Sequence, residues 1–569
     1  MKKELPVSSS NYESLILSNG YYADKTPYLP VLEKNENQNV FLLRPRRFGK
    51  SLFLSTLEAY YGVQYSDKFA VLFGETAAGK NPTASRNSYQ ILKFDFSGIV
   101  THSADDILDS FNSRIHNGLR EFTSNYGFME KEELETVLSS KYAGTILSEF
   151  ISRIQLNGFR GKIFLLIDEY DHFANELFSF DRAHFRDIVS GNGWVRKFYE
   201  TVKYFIGAGI ITRFFATGVT PVTLDSMTSG FNIARNISLE PQFSNICGFS
   251  EAEIRNMISL TVPDELSVTA DNLIPDLRAW YNGSSFTFNR DEKIYNPRLI
   301  IHFLTAFYSE GTYPREMTDI NVTSDYSKIG NIFRTLPPES ARFILEEIIT
   351  KEEIDAGLTL QFNPDLTYGI TEAVSLLYYN GLLTIKNEKL DLVRYVIPNN
   401  VIRQIYRGYL RDTLEKTGNL LIDMTETGHI FSEMAYNGNT APLISLIEKI
   451  TGSLSDRDFM NYRESNLKMI ILSIFAKSNA WFVFSEFACG NGYADLWFER
   501  TEFNDGMFEY LIELKYIRKE DEAKYEFVKE EGIAQLKRYL SSDYFKHRKN
   551  VIPILLLQHN KGTVDSVRL

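Results

Sequence analysis

The stretch Val40–Ser51, Val-Phe-Leu-Leu-Arg-Pro-Arg-Arg-Phe-Gly-Lys-Ser, leaves the N-terminal part of this chain few folds to choose from. A short apolar strand enters a polar loop that closes on Gly49-Lys50-Ser51. Leu54, Leu57 and Tyr61 then follow at helical spacing. Strand, loop, Gly-Lys-Ser and helix, in that order, make a phosphate-binding P-loop. Gly49 lets backbone N–H groups approach a phosphate, Lys50 brings a point charge to the outer phosphates, and Ser51 offers a hydroxyl to Mg²⁺. The helix N-terminus adds its positive dipole end. One position departs from the usual G-x-x-x-x-G-K-[ST] pattern, because Arg44 stands where the first glycine would be. On this stretch alone a basic surface loop after a buried strand is the competing reading.

A second signal lies further on. Gly161–Asp171 reads Gly-Lys-Ile-Phe-Leu-Leu-Ile-Asp-Glu-Tyr-Asp. Its continuous apolar run predicts a strand buried on both faces. Asp168 and Glu169 stand at the carboxyl end, where open α/β sheets bind ligands. This is a Walker B pattern: Asp168 is expected to hold Mg²⁺ through water, and Glu169 to polarise the attacking water. Trp194–Ile206 reads as an amphipathic helix, and Gly209–Val219 as a strand ending in Thr217-Gly218. Thr217, at the end of a strand beside Walker B, is the candidate phosphate sensor; Arg213, mid-strand, is a weaker one. Ile91–Ser97 alternates as a strand, and Ile107–Phe150 is mostly helical in pattern.

Taken in order, six segments resemble the AAA-ATPase-like family of bacterial and intracellular-microbe proteins, whose members are often fused to a PD-(D/E)XK nuclease. They are Asp24-Lys25-Thr26, the Arg44–Ser51 loop, Ile167–Asp171, Thr217-Gly218-Val219, Ser229-Gly230-Phe231-Asn232-Ile233-Ala234 and Cys247-Gly248-Phe249-Ser250. That family uses an Arg-Pro-Arg-Arg-Phe-Gly-Lys loop, so Arg44 fits the resemblance. The resemblance implies an ATPase fold with Lys50, Ser51, Asp168 and Glu169 in the roles above: Gly49, Lys50, Ser51, Asp168 and Thr217 on the nucleotide and its Mg²⁺, and Glu169 as the catalytic acid-base residue. Arg46 and Arg47 are expected to stabilise charge in the ATP site or to contribute to a basic surface. Ala279–Gly283 and Ile294–Pro297 resemble segments at the end of the family's ATPase region.

The C-terminal third carries a different chemistry. Gly490–Phe498 and Glu509–Tyr516 both alternate and are rich in aromatic and branched residues, as strands are. Asn504-Asp505-Gly506 between them is a turn signal. A hairpin centred there sets Asp495 opposite Glu513, and period 2 puts Glu513 and Lys515 on one face. Two carboxylates and a lysine at one spot suit a Mg²⁺-dependent phosphodiesterase: Asp495 and Glu513 hold the metal, and Lys515 positions the nucleophile and offsets charge. Glu464, opening a helix-like run Ser465–Ala476, supplies an outer carboxylate. Gln535, in the helical Ala534–Tyr539, reaches metal water or a nucleic-acid backbone, as do Lys537 and Arg538. Glu-x-Lys alone is an ordinary pattern of an exposed strand. With Glu464, Asp495 and Gln535, it resembles the PD-(D/E)XK nuclease domain. The acidic Glu520-Asp521-Glu522 nearby is an unfavourable neighbour for a polyanion.

Composition bounds the rest. At 569 residues the chain has room for three or four domains, and 44% hydrophobic content excludes wholesale disorder. A net charge of -12 argues against coating nucleic acid with the whole surface but leaves a local basic groove open. Two cysteines, Cys247 and Cys489, form no disulfide framework or zinc motif and suit a reducing, cytoplasmic setting. No apolar stretch follows Lys2-Lys3, so no signal peptide is expected. Apolar runs are strand-sized, so no membrane span is expected either. Eight scattered histidines, His172 included, give no metal spacing.

The expected fold is α/β: a P-loop ATPase domain (1–265), a helical and winged-helix-like middle (266–415) and a restriction-endonuclease-like α/β domain (416–569). In the middle, Leu376–Lys386 and Tyr395–Asn399 read as a helix-plus-hairpin module. The expected function is ATP binding or hydrolysis that gates a Mg²⁺-dependent nuclease. Nucleic acid, DNA first, is the partner, and a homo-oligomer is compatible with the reading. The rival is a nucleotide-dependent interaction switch carrying an inactive nuclease-like platform.

Overall fold

The computed structural model describes residues 2–7, 10–100, 103–172, 193–221, 233–288, 291–319, 326–362, 368–418, 422–454, 462–490, 492–501 and 505–569. Ser229–Asn232 of the family-like segments, Asn491 of the predicted strand and Asn504 of the predicted turn lie outside them. The chain forms two compact units: Met1–Asp319 with Asn331–Leu336 and Asp355–Tyr395, and Ile320–Gly330 with Pro337–Ile354 and Val396–Leu569.

The first unit is built on five parallel strands, β1 (Asn39–Leu43), β2 (Gln90–Asp95), β3 (Ile163–Asp168), β4 (Ile211–Gly218) and β5 (Arg235–Asn236), in the order β2-β3-β4-β1-β5. Every residue of β3 is buried, as its continuous apolar run predicts for a strand covered on both faces. The register pairs Leu43 with Gly218, Ile167 with Ala216 and Asp95 with Asp168, so the carboxyl ends share one edge. β4 lies between the P-loop strand and the Walker B strand, which brings Thr217 between them.

Helix α1 (Lys50–Tyr61) begins at Gly49, whose φ of 88° is left-handed and favours glycine. Phe53, Leu54 and Leu57 of α1 pack with Leu42, Leu166 and Phe215 of the sheet. Burying each such side chain contributes roughly 1.5–3 kcal/mol, which anchors the loop's exit. The predicted helical stretch 107–150 resolves into α2 (Ala104–Tyr126), α3 (Lys131–Leu138) and α4 (Ala143–Leu156); α5 (Trp194–Gly207) follows the Walker B region. Later in the unit, α6 (Glu251–Thr261) opens on a capping box between Ser250 and Glu253.

The helix-plus-hairpin reading of the middle matches α7 (Ile370–Tyr379) followed by β7 (Thr384–Lys389) and β8 (Leu392–Val396). A third strand, β6 (Glu353–Ala356), pairs on the far side of β8. Gly381, at φ 78°, ends the turn after α7; a Cβ there would stand 2.9 Å from Cβ of Pro45, so the P-loop and this turn are in close contact.

The second unit contains α8 (Glu464–Ile474), β9 (Trp481–Ala488), β10 (Tyr493–Arg500), β11 (Glu509–Tyr516), α9 (Tyr525–Leu540), β12 (Val551–Asn560) and β13 (Thr563–Arg568). The five strands form one mixed sheet in the order β13-β12-β11-β10-β9. β9, β10 and β11 form an antiparallel meander, and α9 crosses over to place β12 parallel to β11. Seven consecutive buried residues in β12 match its apolar run, the mark of a strand covered on both faces. Among the described residues no helix is long and apolar enough to cross a membrane.

Candidate functional sites

At the first site the loop is held from behind. Arg44 is only 1% exposed. Its guanidinium donates to the carbonyls of Leu43 (2.8 Å), Ser238 (2.7 Å) and Phe243 (2.8 Å) and lies 4.3 Å over the Phe286 ring. Phe48 meets the same ring edge-on, and Gly248 donates its N–H to the Phe48 carbonyl at 2.8 Å. Gly248 has a φ of 86°, and a Cβ there would strike Ile294. The arginine in place of the usual glycine therefore ties the loop to a segment about 200 residues later in the chain. That also explains the Cys247–Ser250 segment: it packs against the loop.

Lys50 is buried, and its ammonium donates to the carbonyls of Arg44 (3.0 Å) and Pro45 (3.1 Å). Burial pushes its pKa down, while the charges of Asp168, Glu169 and Asp171 pull the other way. The acidic strand end is thus close enough to act on Lys50. Ser51 is half-buried at the first turn of α1. Arg46 is half-buried and has no bonded partner among the described residues. Arg47, exposed and at φ 68°, stands 3.9 Å from the buried carboxylate of Asp319, which Arg298 also holds at 2.7 Å.

Asp168 accepts the Thr217 hydroxyl and the Glu169 N–H (3.0 Å) on Oδ1. Thr217 is fully buried, so its hydroxyl orients Asp168, a connection that the predicted sensor role did not include. Glu169 adopts a left-handed φ of 50°, lies 3.5 Å from Nδ1 of His172, and burial raises its pKa. Asp171, given no role from sequence, accepts N–H bonds from Val219 (3.1 Å) and Thr220 (2.6 Å) and ties the ends of β3 and β4 together. Arg213 donates to the Leu32 carbonyl at 3.0 Å, deep in the core. Of the upstream Asp24-Lys25-Thr26, Asp24 caps Thr26 and accepts the Ala77 N–H, and Lys25 pairs with Glu253 of α6 at 2.6 Å.

The second site forms where β10 leaves β11. The register Leu496↔Ile512, Trp497↔Leu511 and Phe498↔Tyr510 carries one step further to Asp495 opposite Glu513, as the hairpin midpoint predicts. There the ladder opens: Oδ2 of Asp495 accepts the Leu514 N–H at 2.8 Å. On the other side of β10, Ala494↔Phe487 and Leu496↔Ser485 leave Glu486 across from Asp495, and Glu486 has a left-handed φ of 51°. The strand is distorted beside the acid, as bulges near active sites often are.

Glu513 is 3% exposed. Its Oε1 pairs with the Lys515 ammonium at 2.9 Å, while its Oε2 is buried with no hydrogen-bond partner among the described residues. Burial, and then the charge of Asp495, push its carboxyl up to about 7. The same two causes push Glu464 up to about 7. Charges of Glu513, Glu464 and Asp495 raise the Lys515 pKa, although burial alone would lower it. Gln535 of α9 also has a buried Oε1 without a partner among the described residues. All five predicted residues of this site thus lie in one neighbourhood or on elements packed around it.

Two members escaped the sequence reading. Lys468, one turn after Glu464 on α8, is 4% exposed and stands 2.9 Å from Oδ1 of Asp495. It also pairs with Glu486 of β9. The available signal was the i, i+4 spacing from Glu464, which puts both side chains on one helix face. Glu486 had no signal, since an acid in an alternating strand reads as solvent-facing. By donor chemistry the carboxylates of Asp495 and Glu513 suit a hard divalent cation as a two-ligand site, and Oε2 of Glu513 has no hydrogen-bond partner among the described residues. Among the described residues, no group of three or more His, Cys, Asp or Glu side chains is arranged to hold a metal ion.

Residues 6–228 match the AAA-ATPase-like family, described as a predicted AAA-ATPase, and residues 462–566 match the PD-(D/E)XK nuclease superfamily. A curated relative from Azotobacter chroococcum mcd 1, described as an uncharacterized protein in the vnfD 5' region, is 26% identical over 308 residues. The match covers 52% of this chain and 51% of that protein, so this chain spans about half the length of its relative.

Proposed function

We propose that this chain, which carries a AAA-ATPase-like domain and a domain of the PD-(D/E)XK nuclease superfamily, binds a nucleoside triphosphate and cleaves nucleic acid with a divalent cation, the nucleotide state gating the cut. The observation that carries the reading is the opening of the sheet at Asp495. It brings Asp495 opposite Glu513, with Lys515 on the same edge and one buried carboxylate oxygen left free.

At the nucleotide site, Lys50, Ser51 and the N–H groups at the start of α1 would hold the phosphates, with Arg46 as an available cation. Asp168 would hold Mg²⁺, with Thr217 fixing its carboxylate, and Glu169 would take a proton from water. Burial favours that role, since it raises the carboxyl's proton affinity. At the second site Asp495 and Glu513 would hold the cation. When bound, it polarises the phosphate and acidifies a water. Lys515 would steady the reacting phosphate, and Glu464 would accept hydrogen bonds at the outer side of the site.

A second reading keeps the nucleotide switch but makes the nuclease fold an inactive platform. One observation favours it: both Asp495 oxygens are already bonded, to Lys468 and to the Leu514 N–H. Labelled double-stranded DNA, single-stranded DNA and RNA, incubated with Mg²⁺ and with or without ATP, separate the two. Cleavage lost in Asp495→Ala and altered in Lys50→Ala supports the enzyme. Nucleotide binding that needs Lys50, with no cleavage of any substrate, leaves the platform.

A further inference from the structure

The nuclease reading leaves Lys468 without a task, yet it is the most deeply buried cation of the second site. It comes from α8, one turn after Glu464. Its ammonium lies between two carboxylates of different strands, Asp495 on β10 at 2.9 Å and Glu486 on β9. Glu486 is the residue whose backbone turns left-handed opposite Asp495, and its side chain is 39% exposed, so Lys468 and not burial holds it inward. An ammonium bridging two carboxylates does what a bound metal ion does: it brings them together and cancels their repulsion.

The charges can be counted. The cluster comprises the carboxylates of Glu464, Glu486, Asp495 and Glu513 and the ammoniums of Lys468 and Lys515. Fully ionised, it carries two net negative charges, which one divalent cation neutralises. Without Lys468 it would carry three, and a low-dielectric pocket with that excess attracts a second cation strongly. Among the described residues Oε2 of Glu513 has no hydrogen-bond partner, while its other oxygen pairs with Lys515 and not with Lys468.

We propose that Lys468 is a built-in cation that stands in for a second metal, so that this site takes one divalent ion, held by Asp495 and Glu513. Lys468 is a positioning residue here, and Glu486 is its anchor and not a metal ligand. The inference rests on the nuclease reading for the presence of a metal, but concerns how many ions the site takes.

The test is Mn²⁺ binding to the full-length, nucleotide-free chain, followed by electron paramagnetic resonance of the free ion. Subtracting the binding left in Asp495→Ala removes ions held elsewhere. The expected result is one Asp495-dependent ion in the parent, two in Lys468→Met and one again in Lys468→Arg. Two ions in the parent, or one in Lys468→Met, overturns the proposal while the nuclease reading stands. No Asp495-dependent ion in the parent overturns both. Should Lys468→Met fail to fold by circular dichroism, Lys468→Gln serves instead. It removes the positive charge and keeps a hydrogen-bonding side chain between Asp495 and Glu486, and two Asp495-dependent ions are expected. One ion there overturns the proposal.

Discussion

The carboxylate of Asp495 accepts the backbone N–H of Leu514 at 2.8 Å, a donor that the strand ladder would otherwise pair with a carbonyl. The side chain thereby takes the place of the main chain at the point where β10 and β11 part. The acid is fixed by a strand that also carries Glu513 and Lys515, its immediate neighbours on either side of Leu514. Position and chemistry are set by the same bond.

Asp495→Asn keeps an oxygen for Leu514 and removes the charge opposite Lys468. Metal-dependent cleavage is expected to fall by about 100-fold or more. Because Lys468 is left buried with Glu486 alone, the second unit is expected to lose about 3 kcal/mol. Urea unfolding of the parent and variant, read beside the cleavage rates, checks both effects.

Arg44→Gly restores the usual P-loop glycine and is nevertheless expected to damage the site. It strips hydrogen bonds from the buried carbonyls of Ser238 and Phe243. Bonds to a charged group contribute about 1.5–3 kcal/mol each, so a loss of about 3 kcal/mol or more is expected. Nucleotide affinity is expected to fall with it. Denaturant midpoints and binding of a fluorescent nucleotide report the outcome; a variant as stable as the parent would mean that the bracket is dispensable.

Thr217→Val preserves shape and deletes the hydroxyl that Asp168 accepts. The expected stability loss is about 2 kcal/mol. ATP turnover should fall while nucleotide affinity changes little, because the residue acts through the carboxylate. Steady-state hydrolysis, with kcat and KM determined separately, distinguishes this from a direct phosphate contact, for which affinity would fall too.

The pH dependence of the metal-free chain follows from Glu464 and Glu513, both pushed from 4.5 up to about 7. Between those values the folded state holds more protons than the unfolded state, so stability falls as pH rises through that window. The loss between about pH 5 and about pH 8 is about 2.5 kcal/mol for each group, on the order of 5 kcal/mol for the two. Glu513→Gln should flatten the slope, and Mn²⁺ should offset the loss at the alkaline end. Thermal melts across the pH range measure it; a rising slope would show that these carboxyls are not the titrating groups.

Much was legible because it depends on short-range periodicity. The continuous apolar run at Ile163–Ile167 could only be a doubly covered strand, and β3 is buried throughout. The hairpin midpoint fixed Asp495 against Glu513, since antiparallel pairing conserves the sum of the partners' positions. The pattern sets Thr217 at the end of a strand after Walker B, but its bond to Asp168 depends on β4 lying between β1 and β3, which strand order alone decides.

By itself, then, the sequence determined the elements, the two motifs and which acids share a strand register, because these follow from backbone geometry over a few residues. The tertiary structure decided the rest. It set Arg44 on carbonyls near residue 240, and it brought Lys468 from a helix between acids of two strands. Such contacts arise when separate amphipathic elements bury their apolar faces together. No local pattern encodes which polar side chains meet at the seam, and so charge balance at the second site becomes visible only after folding.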